Sequence, residues 1–226
     1  KIVKYDQYLR AVYDRVPPPR PHHFKGADRI TILEDPKGDG VFSQAKDFVS
    51  DLNMARSVVT GRGGVWVLNP PYLLFYPDRN RDDVPDADPE VVLSGFGLED
   101  THSGANSLAW GPDGWLYGAH GSTCTADIKG VKFLGQAIWR YHPVTRRFEM
   151  VVNGTTNPWG LDWDENGQAF FSNNVLVHLW PLIPGAHFRR TFGEDPDPHV
   201  YALLETCADH KHFAGNDWTK SRGGQG

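Results

Sequence analysis

Three short glycine turns recur along this chain at nearly equal spacing, and they restrict the fold more than any other feature. "VVTGRGGVWVLNPPYLLFY" turns at Gly63-Gly64, "LAWGPDGWLYGAHG" at Asp113-Gly114 and "LDWDENGQAFFSNN" at Asn166-Gly167. Each segment runs from apolar residues through a tight turn into an alternating apolar strand. Asp-Gly and Asn-Gly favour two-residue hairpins, because both central residues tolerate positive φ. The last glycines of the turns, Gly64, Gly114 and Gly167, stand 50 and 53 residues apart. A period of that length, holding several short strands, is the signature of propeller blades.

Further strands are expected between the hairpins, in "DRITILED", "EVVLSGF", "QAIWRYHP", "RRFEMVVNG" and "HVYALLET". "IWRYHPVTRRFEMVV" reads as an outer hairpin turning at Pro143–Thr145. The one helical pattern is a short stretch, "YDQYLRAVYDRV", ended by Pro17-Pro18-Pro19, since proline supplies no N–H and restricts the residue before it. The expected class is therefore all-β. Residues 1–25 form a lead-in segment and 26–226 a propeller. At about 50 residues per blade the chain makes four to five blades, an incomplete propeller.

Composition supports a globular β protein. The hydrophobic fraction is 39 %, with eight Trp and twelve Phe to fill a core. Glycine (24) and proline (17) supply many turns without the periodicity of a low-complexity tract. A formal charge of −5 leaves no basic footprint, so nucleic acid is not an expected partner. No run approaches the ~18 apolar residues of a membrane span. The opening "KIVKYDQYLR" lacks the apolar region of a signal peptide and has no Met. Cys124 and Cys207 lack metal-ligand spacing and read as two unrelated thiols. A disulfide between them would need an oxidising compartment and close Cα atoms.

Two acidic loops are candidate metal sites. "DRNRDDVPD" sets Asp78, Asn80, Asp82 and Asp86 at relative positions 1, 3, 5 and 9, with the Val84 carbonyl at 7. Calcium loops use this spacing because alternate oxygens converge on one hard cation. Asp83 stands where such loops usually have glycine, and no Glu follows at position 12; a solvated acidic turn uses the same residues. "EDPKGDG" has Asp35 and Asp39, but Lys37 between them would repel a cation, so a plain turn is expected there.

The motifs "GADRITILEDPKGDG", "GGVWVLNPPYLLFYPD", "LSGFG", "NSLAWGPDGWLYGAHGST", "NPWGLDWDENGQAFFSNN", "IPGAHFRR" and "ADHKHF" stand in this order. Together they resemble a family known as the "putative membrane-bound dehydrogenase domain", Pirellula/Verrucomicrobium type. The resemblance covers roughly residues 26 to 220. It extends to the soluble quinoprotein glucose and aldose-sugar dehydrogenases, six-bladed propellers that carry pyrroloquinoline quinone and calcium. It implies a periplasmic or secreted oxidoreductase of sugars or alcohols. An electron-accepting cytochrome or complex subunits would be its partners. Any haem c would lie outside this chain, which has no Cys-x-x-Cys-His.

The resemblance also assigns residues. His102, before "SLAWGPDGWLY", occupies the place of the base that takes the sugar hydroxyl proton. An imidazole suits that work, because it titrates near working pH; a loop histidine bonded to backbone is the plain alternative. The quinone pocket of the sugar dehydrogenases includes an Arg-Asn-Pro-x-Gly segment. Asn157 matches it, but Thr156 stands in place of the arginine. A quinone bearing carboxylates needs cationic partners, so this departure bears directly on cofactor binding. Asn173 and Asn174 supply oxygen ligands or hold a loop, His120 lines the same central face as His102, and His22-His23 lie at the surface. His210 and His212, two apart, share a face if extended and suit a transition metal or a haem edge, with Asp209 as an orienting carboxylate. Two other readings remain: a non-catalytic propeller scaffold or partner-binding subunit, and a calcium-dependent lactonase-like hydrolase.

Overall fold

Alternation of side chains, two faces per strand, organises the described residues into stacked, mostly antiparallel sheets. The computed structural model describes residues 16–174, 178–190, 194–195 and 197–207. Among these it shows strands and no helix. The expected helix near the start falls mostly on residues 1–15 and so lies outside the described residues. The chain begins with a hairpin, β1 (Asp28–Glu34) and β2 (Gln44–Leu52). A four-stranded meander follows: β3 (Ser57–Thr60), β4 (Gly64–Asn69), β5 (Tyr72–Pro77) and β6 (Glu90–Ser94). The second meander has β7 (Ala105–Trp110) and β8 (Leu116–His120). A small hairpin, β9 (Thr125–Ile128) and β10 (Val131–Leu134), interrupts it before β11 (Ala137–Tyr141) and β12 (Phe148–Thr155). The third comprises β13 (Pro158–Trp163), β14 (Ala169–Asn173) and β15 (Leu179–Pro181). β16 (His187–Arg190) returns to pair in parallel with β12.

These meanders are propeller blades. Period-2 alternation sends neighbouring residues of one strand into different cores. On β4, Trp66 and Leu68 face the second blade, while Val65 and Val67 face the β1–β2 hairpin. On β11, Ala137, Trp139 and Tyr141 face the first blade and Ile138 faces the third. The second blade is thus buried on one face by the first and on the other by the third, and the first blade is covered on its other face by the β1–β2 hairpin. Face-to-face stacking of twisted meanders, with each first strand beside the next, is propeller architecture. Hydroxyls join those first strands: Ser57 Oγ accepts from Leu108 N–H at 2.9 Å, and Ser107 Oγ accepts from Gly160 N–H at 2.8 Å.

The repeated turns are real but are built in two ways. In the first blade Arg62 and Gly63 both have positive φ (53° and 81°), and Gly61 N–H closes the loop on Gly64 O at 2.9 Å. This is the expected two-residue hairpin, one residue earlier than Gly63-Gly64. In the others only the glycine is left-handed: Gly114 (φ 80°) donates to Gly111 O, and Gly167 (φ 79°) to Asp164 O, both at 3.0 Å. These are type I turns followed by a left-handed glycine, so Asp113 and Asn166 need no positive φ.

The expected strands at 28–34, 90–94, 137–141 and 148–155 are present, and the outer hairpin turns at 143–145. "HVYALLET" is corrected: only Leu204 bridges, to Phe188, and the segment makes no regular strand. The residues that end it tie down a loop instead, with Thr206 Oγ1 and Cys207 N–H donating to Leu179 O.

Wholly buried Asn106 ties the second blade to the third. Its amide donates to Gly104 O (3.0 Å) and Pro158 O (3.2 Å), and its Oδ1 accepts from Ser107 Oγ (2.7 Å). Asn106→Ala should cost about 1–3 kcal/mol, because buried carbonyls are left unpaired. Chemical denaturation should read this as a lower midpoint at unchanged slope.

Candidate active site at the blade mouth

The segments leading into the three innermost strands gather at one end of the blades. Arg56 precedes β3, Thr101–Gly104 precede β7, and Thr156–Asn157 precede β13. The Gly121–Cys124 segment after β8 joins them. Gly121 N–H donates to Gly104 O (3.3 Å), and Ser122 N–H to Asn157 Oδ1 (3.1 Å). A side chain at Gly121 would collide with Ser103 O and Asn157 Oδ1. Glycine at 121 is therefore what lets the second and third blade mouths close on each other.

His102 projects from this rim with its side chain 97 % exposed. Its backbone N–H donates to Asp100 Oδ1 at 2.8 Å, and its Nδ1 lies 3.7 Å from the same oxygen. Asp100 is fixed in turn: Thr123 Oγ1 donates to its Oδ2 at 2.5 Å, and Ser103 Oγ and Thr123 Oγ1 lie 2.7 Å apart. Burial pushes the Asp100 carboxyl upward, but hydrogen bonds from Thr123, the His102 N–H and Ser103 outweigh it and leave it below the usual value. The result is an exposed imidazole beside an ionised, hydrogen-bonded carboxylate.

Asn157 is nearly buried, and the loop is built around it. Its N–H donates to Asn173 Oδ1 (3.0 Å), which also accepts from Thr155 Oγ1 (3.2 Å), while Asn174 N–H donates to Asn157 O (3.0 Å). Asn173 and Asn174 thus hold the loop. Thr156, also buried, stands in the same segment.

His120 does not share the face of His102, which corrects that expectation. It is wholly buried, with rings of Phe96 and Phe133 at 6.3 Å and 5.0 Å and its Nε2 3.0 Å from Cys124 O. On β8 it shares the parity of Leu116 and Gly118, which face the first blade, and the β9–β10 hairpin with Phe133 closes over it. Burial lowers its pKa to about 4. The unfolded state therefore takes up a proton near pH 6.5 that the folded state refuses until about pH 4. The neutral ring's contribution is complete above pH 6.5 and is lost as pH falls toward 4, by roughly 3 kcal/mol at most. Replacing the ring by Phe should flatten the stability–pH curve in that window, read from denaturant midpoints at pH 7 and pH 4.5.

The Asp78–Asp86 loop lies at the other end of the blades, beside the β3–β4 turn, where Asp78 N–H donates to Gly63 O (2.9 Å). Its oxygens are engaged within the loop. Asp78 Oδ1 and Asn80 Oδ1 face the Asp82 N–H (3.2 and 3.4 Å), Asn80 Nδ2 donates to Asp82 Oδ2 (2.8 Å), Asp82 Oδ1 takes Val84 N–H (3.0 Å), and Asp86 Oδ2 takes Arg79 N–H (3.0 Å). Among the described residues no three His, Cys, Asp or Glu side chains are grouped to hold a metal. The loop is thus wound by its own side-chain oxygens accepting its own N–H groups. Asp35 likewise accepts the N–H groups of Asp39 and Gly40 in a plain turn. His210, His212 and Asp209 lie outside the described residues. At the surface, His22 is exposed and His23 is half-buried against Asp51 O.

Both cysteines are free. Cys124 is wholly buried, and burial pushes its thiol up to about 12; its Sγ donates to Asp100 O at 3.1 Å. Cys207 is exposed. A thiol reagent at pH 8 should modify Cys207 within minutes and Cys124 only after denaturation, because the thiolate is the nucleophile. Peptide mass mapping of the modified sites checks this.

Arg56 was not singled out by motif or spacing. Its position, immediately before a first strand as Asn157 is before β13, is the signal that finds it. Its guanidinium lies on Gly104: a Cβ there would stand 3.1 Å from Nη1. Nη1 is buried with no hydrogen-bond partner among the described residues. The side-chain space of Gly104 is taken up by the Arg56 guanidinium and that of Gly121 by Ser103 O and Asn157 Oδ1, so of these features only the Arg56 cation suits a ligand bearing carboxylates, such as a quinone of the pyrroloquinoline type.

Comparison with known proteins gives three findings. The model of a domain family of unknown function matches residues 2–214. No curated protein matches. Among solved structures, a Thermus thermophilus protein described as a "putative oxidoreductase (glucose dehydrogenase)" is 21 % identical, with a TM-score of 0.43. The match covers 72 % of this chain and 60 % of that one, so this chain spans less than two thirds of its length.

Proposed function

For this chain, which belongs to the DUF7133 domain family, we propose the role of a propeller oxidoreductase that removes hydride from a sugar or alcohol carbon, with His102 as the base. The observation that carries the reading is the Asp100–His102 pair at the blade mouth, an exposed imidazole 3.7 Å from a buttressed carboxylate. Oxidation of a hydroxyl-bearing carbon needs the O–H proton to leave as the C–H electron pair departs. His102 takes that proton. Asp100 holds the loop that carries the ring, through the His102 backbone N–H. Asn157 keeps the neighbouring loop closed through Ser122, and Arg56 brings a positive charge to the same rim. A quinone cofactor supplies the hydride acceptor when bound. The sequence resemblance to quinoprotein sugar dehydrogenases and the gathering of the three lead-in segments at one mouth support this choice.

Dye-linked oxidation of an aldose and polyol panel by the full-length protein tests the proposal, with and without added pyrroloquinoline quinone. Quinone-dependent dye reduction with at least one substrate is expected. Absence of turnover across the panel by quinone-saturated protein would remove the catalytic reading.

A further inference from the structure

Among the described residues β1 has a strand on one edge only. It pairs with β2, and the sheet ends there. The two strands cover the outer part of the first blade: Ile30, Ile32 and Phe48 share a core with Val65, Val67 and Tyr76, and the Phe48 and Tyr76 rings meet edge to face at 6.3 Å. β3, the innermost strand of that blade, is left out of this cover. Its Val59 packs toward the second blade, while Val58, on the other side, is 44 % exposed. Between β3 and the unpaired edge of β1 runs a cleft of about 470 Å³, with Ile30, Ile32, Phe48, Val58 and Val65 as its apolar walls.

We propose that this cleft receives one β-strand, paired to the free edge of β1 and laid over β3, and that the strand belongs to this same polypeptide, from outside the described residues. An unpaired strand edge offers a row of N–H and C=O groups to any extended chain. At the spacings of stacked sheets a strand takes up roughly 160 Å³ per residue. A cleft of about 470 Å³ therefore holds about three residues, close to the 4 of β3. Apolar walls on both sides select a strand with apolar residues at alternate positions. The cleft is continuous with the core beneath the hairpin, since Ile30, Ile32, Phe48 and Val65 belong to both. A second copy does not fit it. Two-fold pairing of two β1 edges would place both first blades under one sheet. Each β3, reaching a strand's width past its own β1, would then collide with the other. A source within the chain follows the pattern of the fold: β7 packs on β3 and β13 on β7, each first strand beside another of the same chain. The added strand gives β3 such a neighbour on its other flank, and it makes β1 and β2 the outer strands of a further blade.

Hydrogen exchange on the full-length wild-type protein, read by mass spectrometry over β1, tests this without any substitution. With β2 as sole partner, about half of the β1 amides point away from a ladder and exchange at once. With a strand on both edges, the whole segment should exchange about 100-fold or more slowly than in the unfolded chain. That protection should be equal at all protein concentrations and should return when the purified chain is unfolded and refolded. Fast exchange at half of the β1 amides overturns the proposal. Protection that rises with protein concentration overturns it in favour of a second copy. Protection that refolding of the pure chain does not restore overturns it in favour of another protein. Val58→Lys gives an independent readout, because an added strand would bury the new charge. The melting temperature should fall by about 4 °C or more, against less than about 1 °C for Val144→Lys at an exposed turn. Equal melting temperatures for the two variants overturn the proposal; if Val58→Lys fails to fold, the wild-type exchange decides.

Discussion

His102→Ala is expected to lower quinone-dependent turnover of the full-length protein by about 10²–10⁴-fold, the usual worth of a positioned general base. Its melting temperature should stay within about 1 °C, since exposed substitutions rarely exceed ±0.5 kcal/mol. The His102 side chain is 97 % exposed, so the fold loses no packing when it is removed. The Asp100 oxygen keeps its bond from the backbone N–H of residue 102, because that donor survives the substitution. Activity and stability should therefore separate cleanly. Binding of the cofactor should survive as well, which assigns the loss to proton removal. Turnover that persists in His102→Ala would make His102 an ordinary loop residue held by Asp100. Asp100→Asn should give an intermediate loss: the carboxylate holds the loop that carries the imidazole but does not itself touch the substrate.

The largest loss of stability is expected from Trp139→Ala, about 3–5 kcal/mol for deleting a fully buried Trp. Trp139 is 0 % exposed and lies in the core between the first and second blades. Phe96 and Phe148 have their rings 5.3 Å and 5.7 Å from it. Gly118 is glycine because a methyl there would strike the Trp139 ring. The neighbouring strands are held by paired ladders on both sides, β8 and β12, and cannot collapse to refill the cavity. For a domain of this size the melting temperature should fall by roughly 6–20 °C. A fall of less than 2 °C would mean that the two blades are not held together by this core.

Much of the fold is visible in the chain before it folds. Positive φ at a glycine and alternation along a strand are local properties, set by sterics and by the pleat. The turns at Gly63, Gly114 and Gly167 and the strands beside them could therefore be placed, even though two of the three turns are of another type than expected. β2 and the β9–β10 hairpin were not foreseen. Their sequences, "QAKDFVSDL" and "TADIKGVKFL", carry three charges each and have weak apolar alternation. They become strands because they pair with β1 and with each other.

The candidate site divides in the same way. The placement of His102 and Asn157 at one mouth was legible because each stands ahead of a first strand, a position defined by sequence. The role of His120 was not. It ends the strand next to that of His102, and its parity told which face it takes but not what covers that face. Phe96 and Phe133 supply the cover from segments that are distant in the chain. Spacing suggested converging oxygens at Asp78–Asp86, but the hydrogen bonds by which the loop winds onto its own N–H groups depend on its three-dimensional path and were not legible.

By itself, then, the sequence determined the blades: their repeat, their tight turns and the alternation that gives each strand two faces, all set by interactions within a few residues. Tertiary structure alone decided which polar groups are left over. Arg56 looks like any other arginine until the second blade packs against the first and encloses one of its nitrogens beside Gly104. His120 looks like a partner for His102 until two phenyl rings close over it. Burial is a property of whatever packs on a face, and in a stacked β fold that neighbour comes from about 50 residues away along the chain.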